Sequence, residues 1–189
     1  MPVTPGARRR WTYDHLQCLP DDGKRHEIVA GEHFVIAAPC RLHQAVLGRL
    51  YLAMGNFLTA RPELGQAYLG PFDVVFSMFD VVEPDLLFVA ADEEDILTEK
   101  NVRGAPALVV EILSQSTRRH DERTKRRLYQ RAGVREYWIV DTERRMVVVH
   151  RRMTRGMLCR VANLSASSGA VVTTPLLPGL TVPVDGLFT

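Results

Sequence analysis

Ala107-Leu108-Val109-Val110-Glu111-Ile112-Leu113 is the segment from which the fold is best inferred. Its continuous apolar run after Pro106 is typical of a β-strand that is covered on both faces of a sheet. The carboxylate inside the run is the exception, because burying a charge is unfavourable unless a cation or hydrogen bonds compensate for it. Two interpretations of Glu111 stay open: a site residue with such partners, or a side chain that reaches water at a sheet end.

Strand-like and helical segments lie on both sides of this run. Downstream, Ser114-Gln115-Ser116-Thr117 offers N-cap residues for a helix from Arg118 to Ala132, which Gly133 ends. Further strands are predicted at 26–36 (a hairpin turning at Ala30-Gly31-Glu32), 72–76, 83–90, 136–140 and 146–150, with a long helix at 41–60 and a short acidic helix or loop at 91–100. The pattern predicts an α/β fold (α+β-like), with a mixed central β-sheet flanked by helices and additional antiparallel strands.

The chain is expected to form one domain over residues 1–189, because it contains no internal repeat and no linker that would divide it. Residues 1–20 are predicted to be a loosely packed arm followed by a short helix near Tyr13–Leu19. No segment approaches the ~18 uninterrupted apolar residues that a membrane span needs. Arg8-Arg9-Arg10 is not followed by an apolar run, so a secretory signal is not expected.

The number and spacing of the three cysteines indicate the cellular compartment. Cys18, Cys40 and Cys159 stand far apart, without a C-x-x-C pair. They are interpreted as buried or incidental thiols of a cytoplasmic protein, not as a disulfide framework or a zinc site.

Acidic and basic side chains are segregated along the chain, although its net charge is only +2. Residues 73–111 hold ten acidic and two basic side chains, whereas residues 118–160 hold fourteen basic and five acidic ones. A carboxylate-rich block beside a basic block suits a metal-dependent enzyme that acts on a polyanion. Two ordinary solvated faces would give the same pattern, so charge alone leaves both interpretations open.

Asp85 places a second carboxylate in a strand-like segment, just after Pro84. Two carboxylates from neighbouring strands can hold one hard cation such as Mg²⁺ through oxygen ligands. On the predicted helix, Asp121, Lys125 and Tyr129 follow one another at intervals of four and share one face. Lys125 would then either reach the carboxylates, to orient water or to neutralise phosphate charge, or form a surface ion pair with Asp121.

Several further residues are candidates for substrate or metal contacts. Glu27 begins the hairpin and His43 lies on the first turns of the long helix, and surface or capping roles are the alternative for both. Candidate contacts to nucleic-acid phosphates are Arg118, Arg119, Arg123, Arg126 and Arg127. The sequence contains no P-loop, G-x-G-x-x-G, H-E-x-x-H or G-x-S-x-G motif, so nucleotide hydrolysis, redox chemistry and serine hydrolysis have no support.

Four blocks of sequence occur in an order that resembles a known family. They are Val82-Glu83-Pro84-Asp85-Leu86, then Val109-Val110-Glu111-Ile112-Leu113-Ser114-Gln115-Ser116-Thr117, then Asp121-x-x-x-Lys125-x-x-x-Tyr129, then Gly133-Val134-x-Glu136-Tyr137-Trp138-Ile139-Val140-Asp141. His26-Glu27-Ile28-Val29-x-Gly31-Glu32 near the front and Pro178-Gly179-Leu180-Thr181-Val182 near the end add to the likeness. Together they resemble the Uma-two family of predicted restriction endonucleases, a branch of the PD-(D/E)XK nuclease superfamily, over nearly the whole chain.

The resemblance implies a restriction-endonuclease-like core in which Asp85 and Glu111 are the metal ligands. The implied cofactor is Mg²⁺, with Mn²⁺ as a substitute. The lysine that the superfamily places two positions after the glutamate is Leu113 here, and the resemblance suggests that Lys125 takes over its role. Asp121 would orient Lys125 in this scheme.

The resulting hypothesis is a Mg²⁺-dependent endonuclease that hydrolyses DNA phosphodiester bonds with Asp85, Glu111 and Lys125. Small nucleases of this kind often act as homodimers, so a homodimer is expected. The alternative is a catalytically silent protein that keeps the nuclease fold as a nucleic-acid-binding or oligomerisation module. The absent in-line lysine and the modest net charge favour this alternative.

Overall fold

The computed structural model describes residues 10–189, which form three β-sheets and a small number of helices. The strands are β1 (Arg25–Val29), β2 (Glu32–Ile36), β3 (Gly65–Leu69), β4 (Val74–Ser77), β5 (Asp80–Val82), β6 (Leu86–Ala90), β7 (Leu108–Ile112), β8 (Glu136–Asp141), β9 (Met146–Arg152), β10 (Leu158–Ser165), β11 (Val171–Val172) and β12 (Val182–Pro183). The helices are α1 (Tyr13–Gln17), α2 (Arg41–Thr59), a π-helical turn (His120–Lys125) and α3 (Arg126–Ala132), with 3₁₀ turns at Pro62–Leu64, Ala91–Ile96, Ala166–Ser168 and Asp185–Phe188.

The central sheet has six strands in the order β10-β9-β8-β7-β6-β3. Strands β7 and β8 run parallel and are joined through the π-helical turn and α3, whereas the other neighbouring pairs are antiparallel. A four-stranded antiparallel sheet (β2-β1-β5-β4) and a two-stranded one (β11-β12) complete the fold. The prediction of a mixed α/β fold with additional antiparallel strands is confirmed.

Strand β7 is buried on both faces, as its apolar run predicts. Leu108, Val110 and Ile112 pack in one core cluster with α2 and the C-terminal segment. Val109 and Leu113 pack on the other face with residues of α3 and of the four-stranded sheet. Because side chains alternate along a strand, Glu111 projects into this second layer. The carboxylate therefore sits between the central sheet and its helix.

Two local predictions are confirmed by the backbone geometry. The hairpin of β1 and β2 turns through Ala30 and Gly31, which both have positive φ (53° and 79°), as a tight two-residue hairpin turn requires. The helix over 118–132 ends at Gly133, whose φ of 107° is left-handed. Its first half, however, is not α-helical: the turn His120–Lys125 is π-helical, with wider i→i+5 bonding.

Other predictions differ from the structure in position or are wrong. Strands β3 and β5 were not predicted, since Gly65–Leu69 lacks a clear alternation and Asp80–Val82 has only three residues. The strand predicted at 83–90 begins at Leu86, because Pro84 cannot donate a ladder hydrogen bond. The interpretation of the cysteines as buried is wrong, since Cys18, Cys40 and Cys159 are all exposed.

The N-terminal arm is described only from residue 10 onward, so the predicted loose packing of residues 1–9 lies outside the described part of the chain. Its short helix spans Tyr13–Gln17, two residues shorter than predicted. Trp11 donates a backbone hydrogen bond to Gly31 and Tyr13 donates one to Met78. Within residues 10–189, no helix combines the length and the apolar character needed to cross a membrane.

Candidate active site

Asp85 and Glu111 come from neighbouring antiparallel strands. The register of β6 and β7 pairs Leu86 with Val110, so Asp85, one residue before β6, falls beside Glu111 near the end of β7. Residues opposite each other in such a pair share one face of the sheet. Both side chains line a small cavity. The volume within it that the centre of a water molecule can occupy is about 20 Å³. The structure thus brings the two predicted carboxylates together.

Both oxygens of the Asp85 carboxylate have partners. The Ile112 backbone N–H donates to Oδ2 at 2.8 Å, and His43 Nε2 lies 3.0 Å from the same oxygen. Arg25 donates to Oδ1 at 3.0 Å. Burial would raise the pKa of Asp85, but the hydrogen bond from His43, the charge of Arg25 and the backbone donor hold this pKa below its ordinary value. Asp85 therefore stays ionised.

Glu111 has the opposite electrostatic balance. Its Oε1 accepts hydrogen bonds from Lys125 Nζ at 2.9 Å and from the Tyr129 hydroxyl at 2.5 Å. Burial raises the pKa of Glu111 to about 8, against the charge of Lys125, and the charges of Asp121 and Asp85 raise this pKa further. The positive charge around Glu111 is thus insufficient to offset the effect of burial on its pKa.

Lys125 lies among three carboxylates in the interior. Its Nζ is 2.7 Å from Glu27 Oε1, 2.9 Å from Glu111 Oε1 and 3.7 Å from Asp121 Oδ1. Its side chain is only 4% exposed. Burial would lower the pKa of Lys125, but the three negative charges raise it well above its ordinary value, so the amine remains protonated. The interpretation of Lys125 as a surface ion-pair partner is therefore wrong.

Glu27 and Asp121 complete this buried cluster. Glu27 accepts the Glu83 backbone N–H at 3.0 Å, and His120 Nε2 lies 3.4 Å from its Oε2. Against its burial, Lys125 and His120 hold the pKa of Glu27 below its ordinary value. Burial raises the pKa of Asp121 to about 6, although Lys125 opposes the change. Neither carboxylate is the surface or capping group that lone acidic residues often are.

Three residues of this region were missed by the sequence analysis. Arg25 shares the strand parity of Glu27, so the alternation of β1 could have pointed to it. His120 precedes Lys125 by five positions, a spacing that aligns side chains in a π-helical turn but not in an α-helix. The Tyr137 hydroxyl donates to the Asp121 backbone carbonyl at 3.1 Å, and no pattern in the sequence indicates this contact.

The donor set fits one divalent cation with few protein ligands. Within residues 10–189, no group of three or more His, Cys, Asp or Glu side chains is arranged to hold a metal ion. Mg²⁺ does not need such a cage, because it commonly uses one or two carboxylates and keeps several waters. The cavity between Asp85 and Glu111 has room for one water-sized species, since a water needs roughly 10–15 Å³ by this measure. A cation bound there would offset the burial and the neighbouring negative charges that raise the pKa of Glu111.

An open cleft leads from the surface to the carboxylates. The cleft has a volume of about 250 Å³. It shares six lining residues with the buried cavity: Arg25, Ile36, Ala37, Pro39, His43 and Asp85. Lys24 and the Gly70-Pro71 segment line its outer part. A substrate group that enters the cleft therefore meets Arg25 and Asp85 before the deeper Lys125.

The five candidate phosphate-binding arginines fall into two groups. Arg119, Arg123 and Arg127 are exposed, and their spacing of four places them along one side of the helix. Arg126 is half-buried and donates from Nε to the Glu122 carbonyl at 3.2 Å. Arg118 is held by a bidentate pair with Asp141 at 2.6 and 3.0 Å. This ion pair occupies the guanidinium of Arg118, which sets it apart from the exposed three.

Comparison with known proteins gives one family and one fold. The family model described as "Uma2: Putative restriction endonuclease" matches residues 12–185. No curated protein matches the chain. A solved structure from Anabaena variabilis, described as "a putative nuclease belonging to DUF820", superposes with a TM-score of 0.77 at 18% identity, over 94% of this chain and 97% of that one. This likeness is a likeness of fold, and it confirms the predicted architecture.

Proposed function

Because the chain belongs to the Uma2 family, which is described as "Putative restriction endonuclease", we propose that it is a divalent-metal-dependent endonuclease that hydrolyses phosphodiester bonds of DNA. The observation that carries the proposal is the convergence of Asp85, Glu111 and Lys125 on one small cavity. Two carboxylates with a neighbouring amine combine a cation site with a fixed positive charge. Mg²⁺ is the proposed cation, and Mn²⁺ should replace it.

Asp85 and Glu111 would hold the cation through their carboxylate oxygens. Bound there, it would polarise a phosphate oxygen and lower the pKa of a water molecule. Asp85 is prepared for this role because His43 and the Ile112 N–H fix its orientation and keep it ionised. The Tyr129 hydroxyl fixes the orientation of Glu111 through its hydrogen bond to Oε1.

Lys125 would act on the reacting phosphate as a fixed charge. Glu27 and Glu111 hold its Nζ at the cavity wall, and its raised pKa keeps the proton on the amine at neutral pH. A protonated amine cannot be a general base, so its role is to orient the attacking water or to stabilise negative charge on the phosphate. Asp121, 3.7 Å away, would help to position it. Lys125 thereby supplies the charge that Leu113 cannot.

DNA is proposed as the substrate on the basis of charge. Arg119, Arg123 and Arg127 present positive charge on an exposed helix side. Such side chains contact phosphates and carry no base specificity.

We further propose a cytoplasmic homodimer. The free cysteines agree with a reducing compartment, and light scattering on the purified protein tests the dimer.

The proposal is tested by cleavage of plasmid and single-stranded DNA with Mg²⁺, Mn²⁺ or Ca²⁺. Asp85→Asn should lower the rate by about 10³-fold or more, because metal assistance lowers the barrier by several kcal/mol. Asp141→Asn is the matched control: Asp141 is a buried carboxylate on the adjacent strand and lies outside the cavity. Equal rates for Asp85→Asn and the wild type would contradict the proposal.

A silent nuclease-fold module is the second candidate function. It is favoured by the internal hydrogen bonds of the site, since Arg25 and Lys125 already hold both proposed metal ligands. A protein that binds DNA but does not cleave it with any of the three cations, and that binds none of them, would establish this alternative.

A further inference from the structure

The partners of Asp85 differ in how easily they can leave the carboxylate. The Ile112 N–H is a main-chain donor at the end of a buried strand, and the His43 side chain is 5% exposed. The Arg25 side chain is 22% exposed and contacts the other oxygen, Oδ1. Arg25 also lines both the buried cavity and the open cleft. It is therefore the partner with a free path away from Asp85.

Arg25 also differs from the second cation of the site. Lys125 is enclosed by Glu27, Glu111 and Asp121, and its side chain is only 4% exposed. Arg25 reaches the Asp85 carboxylate through a long flexible side chain, which also donates to the Glu83 carbonyl at 3.4 Å. A guanidinium binds phosphate as well as carboxylate, with the same fork of N–H donors. Both anions are thus within its chemistry.

We propose that Arg25 is a substrate-binding residue that holds Asp85 in the metal-free protein and, when a divalent cation occupies Asp85, turns into the cleft to bind the scissile phosphate. The inference rests on the proposed function, because it assumes a cation at Asp85. Its physical basis is repulsion: a guanidinium within hydrogen-bond distance of Oδ1 would lie next to a cation bound by the same carboxylate. The cleft is the open direction in which Arg25 can move.

Arg25 then competes with the cation but assists the reaction, so its removal should change binding and cleavage in opposite directions. Titration calorimetry with Mn²⁺ alone, without DNA, should show about tenfold tighter binding to Arg25→Met than to the wild type, which corresponds to the removal of one modest charge repulsion. Cleavage by Arg25→Met at saturating Mn²⁺ should be slower by about tenfold or more. The matched control is Lys24→Met, whose side chain pairs with Asp22 and is 58% exposed; its Mn²⁺ affinity should equal that of the wild type.

Asp85→Asn separates the failure of this inference from the failure of the proposed function. If Asp85→Asn loses Mn²⁺ binding while Arg25→Met binds Mn²⁺ no more tightly than the wild type, Arg25 does not compete and the inference is wrong, while the metal site stands. If Asp85→Asn binds Mn²⁺ like the wild type, the proposed metal site itself is wrong, and the inference is wrong with it.

A spectroscopic measurement on the wild type avoids any dependence on the folding of Arg25→Met. The Nε–H resonance of Arg25, assigned with Arg25→Lys, should shift and exchange faster with solvent at saturating Mg²⁺. The resonance of Arg118, which is held by Asp141, should stay unchanged. An Arg25 resonance that is unmoved when Mg²⁺ binds would overturn the inference.

Discussion

The ends of two parallel neighbouring strands, β7 and β8, carry buried carboxylates in contrasting surroundings. Glu111 and Asp141 are 3% and 2% exposed, and the same helical segment supplies a cation to each. Asp141 is bound by Arg118 through two hydrogen bonds and accepts the Arg144 N–H as well, and against its burial these partners lower its pKa. Glu111 shares Lys125 with other carboxylates, and burial raises its pKa to about 8.

The difference distinguishes a structural ion pair from a candidate site. Asp141 pairs with two arginines, Arg118 and Arg144, so its charge is neutralised even though Arg118 also contacts Glu143. A group of acids that shares one base keeps a surplus of negative charge, which disfavours ionisation unless another cation arrives. Functional sites concentrate such perturbed groups. The Glu111 region has this property and the Asp141 region does not.

The largest expected effect is that of removing Lys125. Lys125→Met should destabilise the fold by roughly 3–5 kcal/mol, because it leaves buried carboxylates without their cation. Cleavage should also be abolished. Urea denaturation and a plasmid assay measure the two effects separately.

A double variant separates chemistry from stability at this position. Glu27 is the closest carboxylate to Lys125, at 2.7 Å, so Glu27→Gln combined with Lys125→Met should recover about half of the missing stability. Cleavage should stay absent in the recovered protein. If cleavage returned together with stability, Lys125 would be a structural residue like Arg118.

The next largest effect concerns the structural pair. Arg118→Met should lower the free energy of unfolding by roughly 1.5–3 kcal/mol, the range for hydrogen bonds to charged groups. The cleavage rate of the folded fraction should not change, because the guanidinium is engaged by Asp141 and is not free for phosphate. A rate decrease comparable with that of Lys125→Met would remove the contrast between the two strand ends.

A smaller effect is expected for the exposed arginines. Combined replacement of Arg119, Arg123 and Arg127 by Met should flatten the salt dependence of DNA binding in Ca²⁺, by about 0.9 in log–log slope for each phosphate that the variant no longer neutralises. Arg118→Met is the control and should leave the slope unchanged. Fluorescence anisotropy across salt concentrations gives both slopes. Identical slopes for the wild type and the triple variant would mean that this helix side does not bind DNA.

The sequence predicted those parts of the molecule that depend on local patterns. The apolar run around Glu111 and the turn at Ala30-Gly31 were sufficient to place strands, since alternation and turn geometry are local. Asp85 and Glu111 were found because a charge in an apolar segment is conspicuous, whereas Lys125 was found from its helical spacing and from the family resemblance. Their roles stay predictions until activity and metal binding are measured.

The remaining features depend on packing between distant segments. Arg25 meets Asp85 because β1 pairs with β5, and no local pattern specifies that pairing. His120 faces Glu27 through a π-helical turn, which a spacing rule for α-helices cannot foresee. Arg25 and His120 were missed because contacts between distant segments, and not local patterns, bring them to the site.

Two pH dependences of opposite sign are expected in the metal-free protein. His150 lies on β9, next to β8, and burial lowers its pKa from 6.5 to about 4, helped by the charges of Arg126 and Arg160. Since its folded-state pKa is depressed, its contribution to stability is present above pH 6.5 and is lost as the pH falls through about 4. Glu111 behaves oppositely: its folded-state pKa of about 8 exceeds 4.5, so its contribution is complete below pH 4.5 and is lost as the pH rises through about 8.

Urea midpoints measured in EDTA from pH 4 to 9 should resolve the two contributions. In His150→Gln, the free energy of unfolding should fall by about 1 kcal/mol less than in the wild type as the pH is lowered to 4. Its loss at alkaline pH should be unchanged. Glu111→Gln should flatten the alkaline limb, because a neutral amide cannot lose a proton where the carboxyl does. An alkaline limb that is the same in Glu111→Gln and the wild type would show that Glu111 has all the positive charge it needs. The two strand ends would then be electrostatically alike, and the argument for a cation beside Glu111 would lose its support.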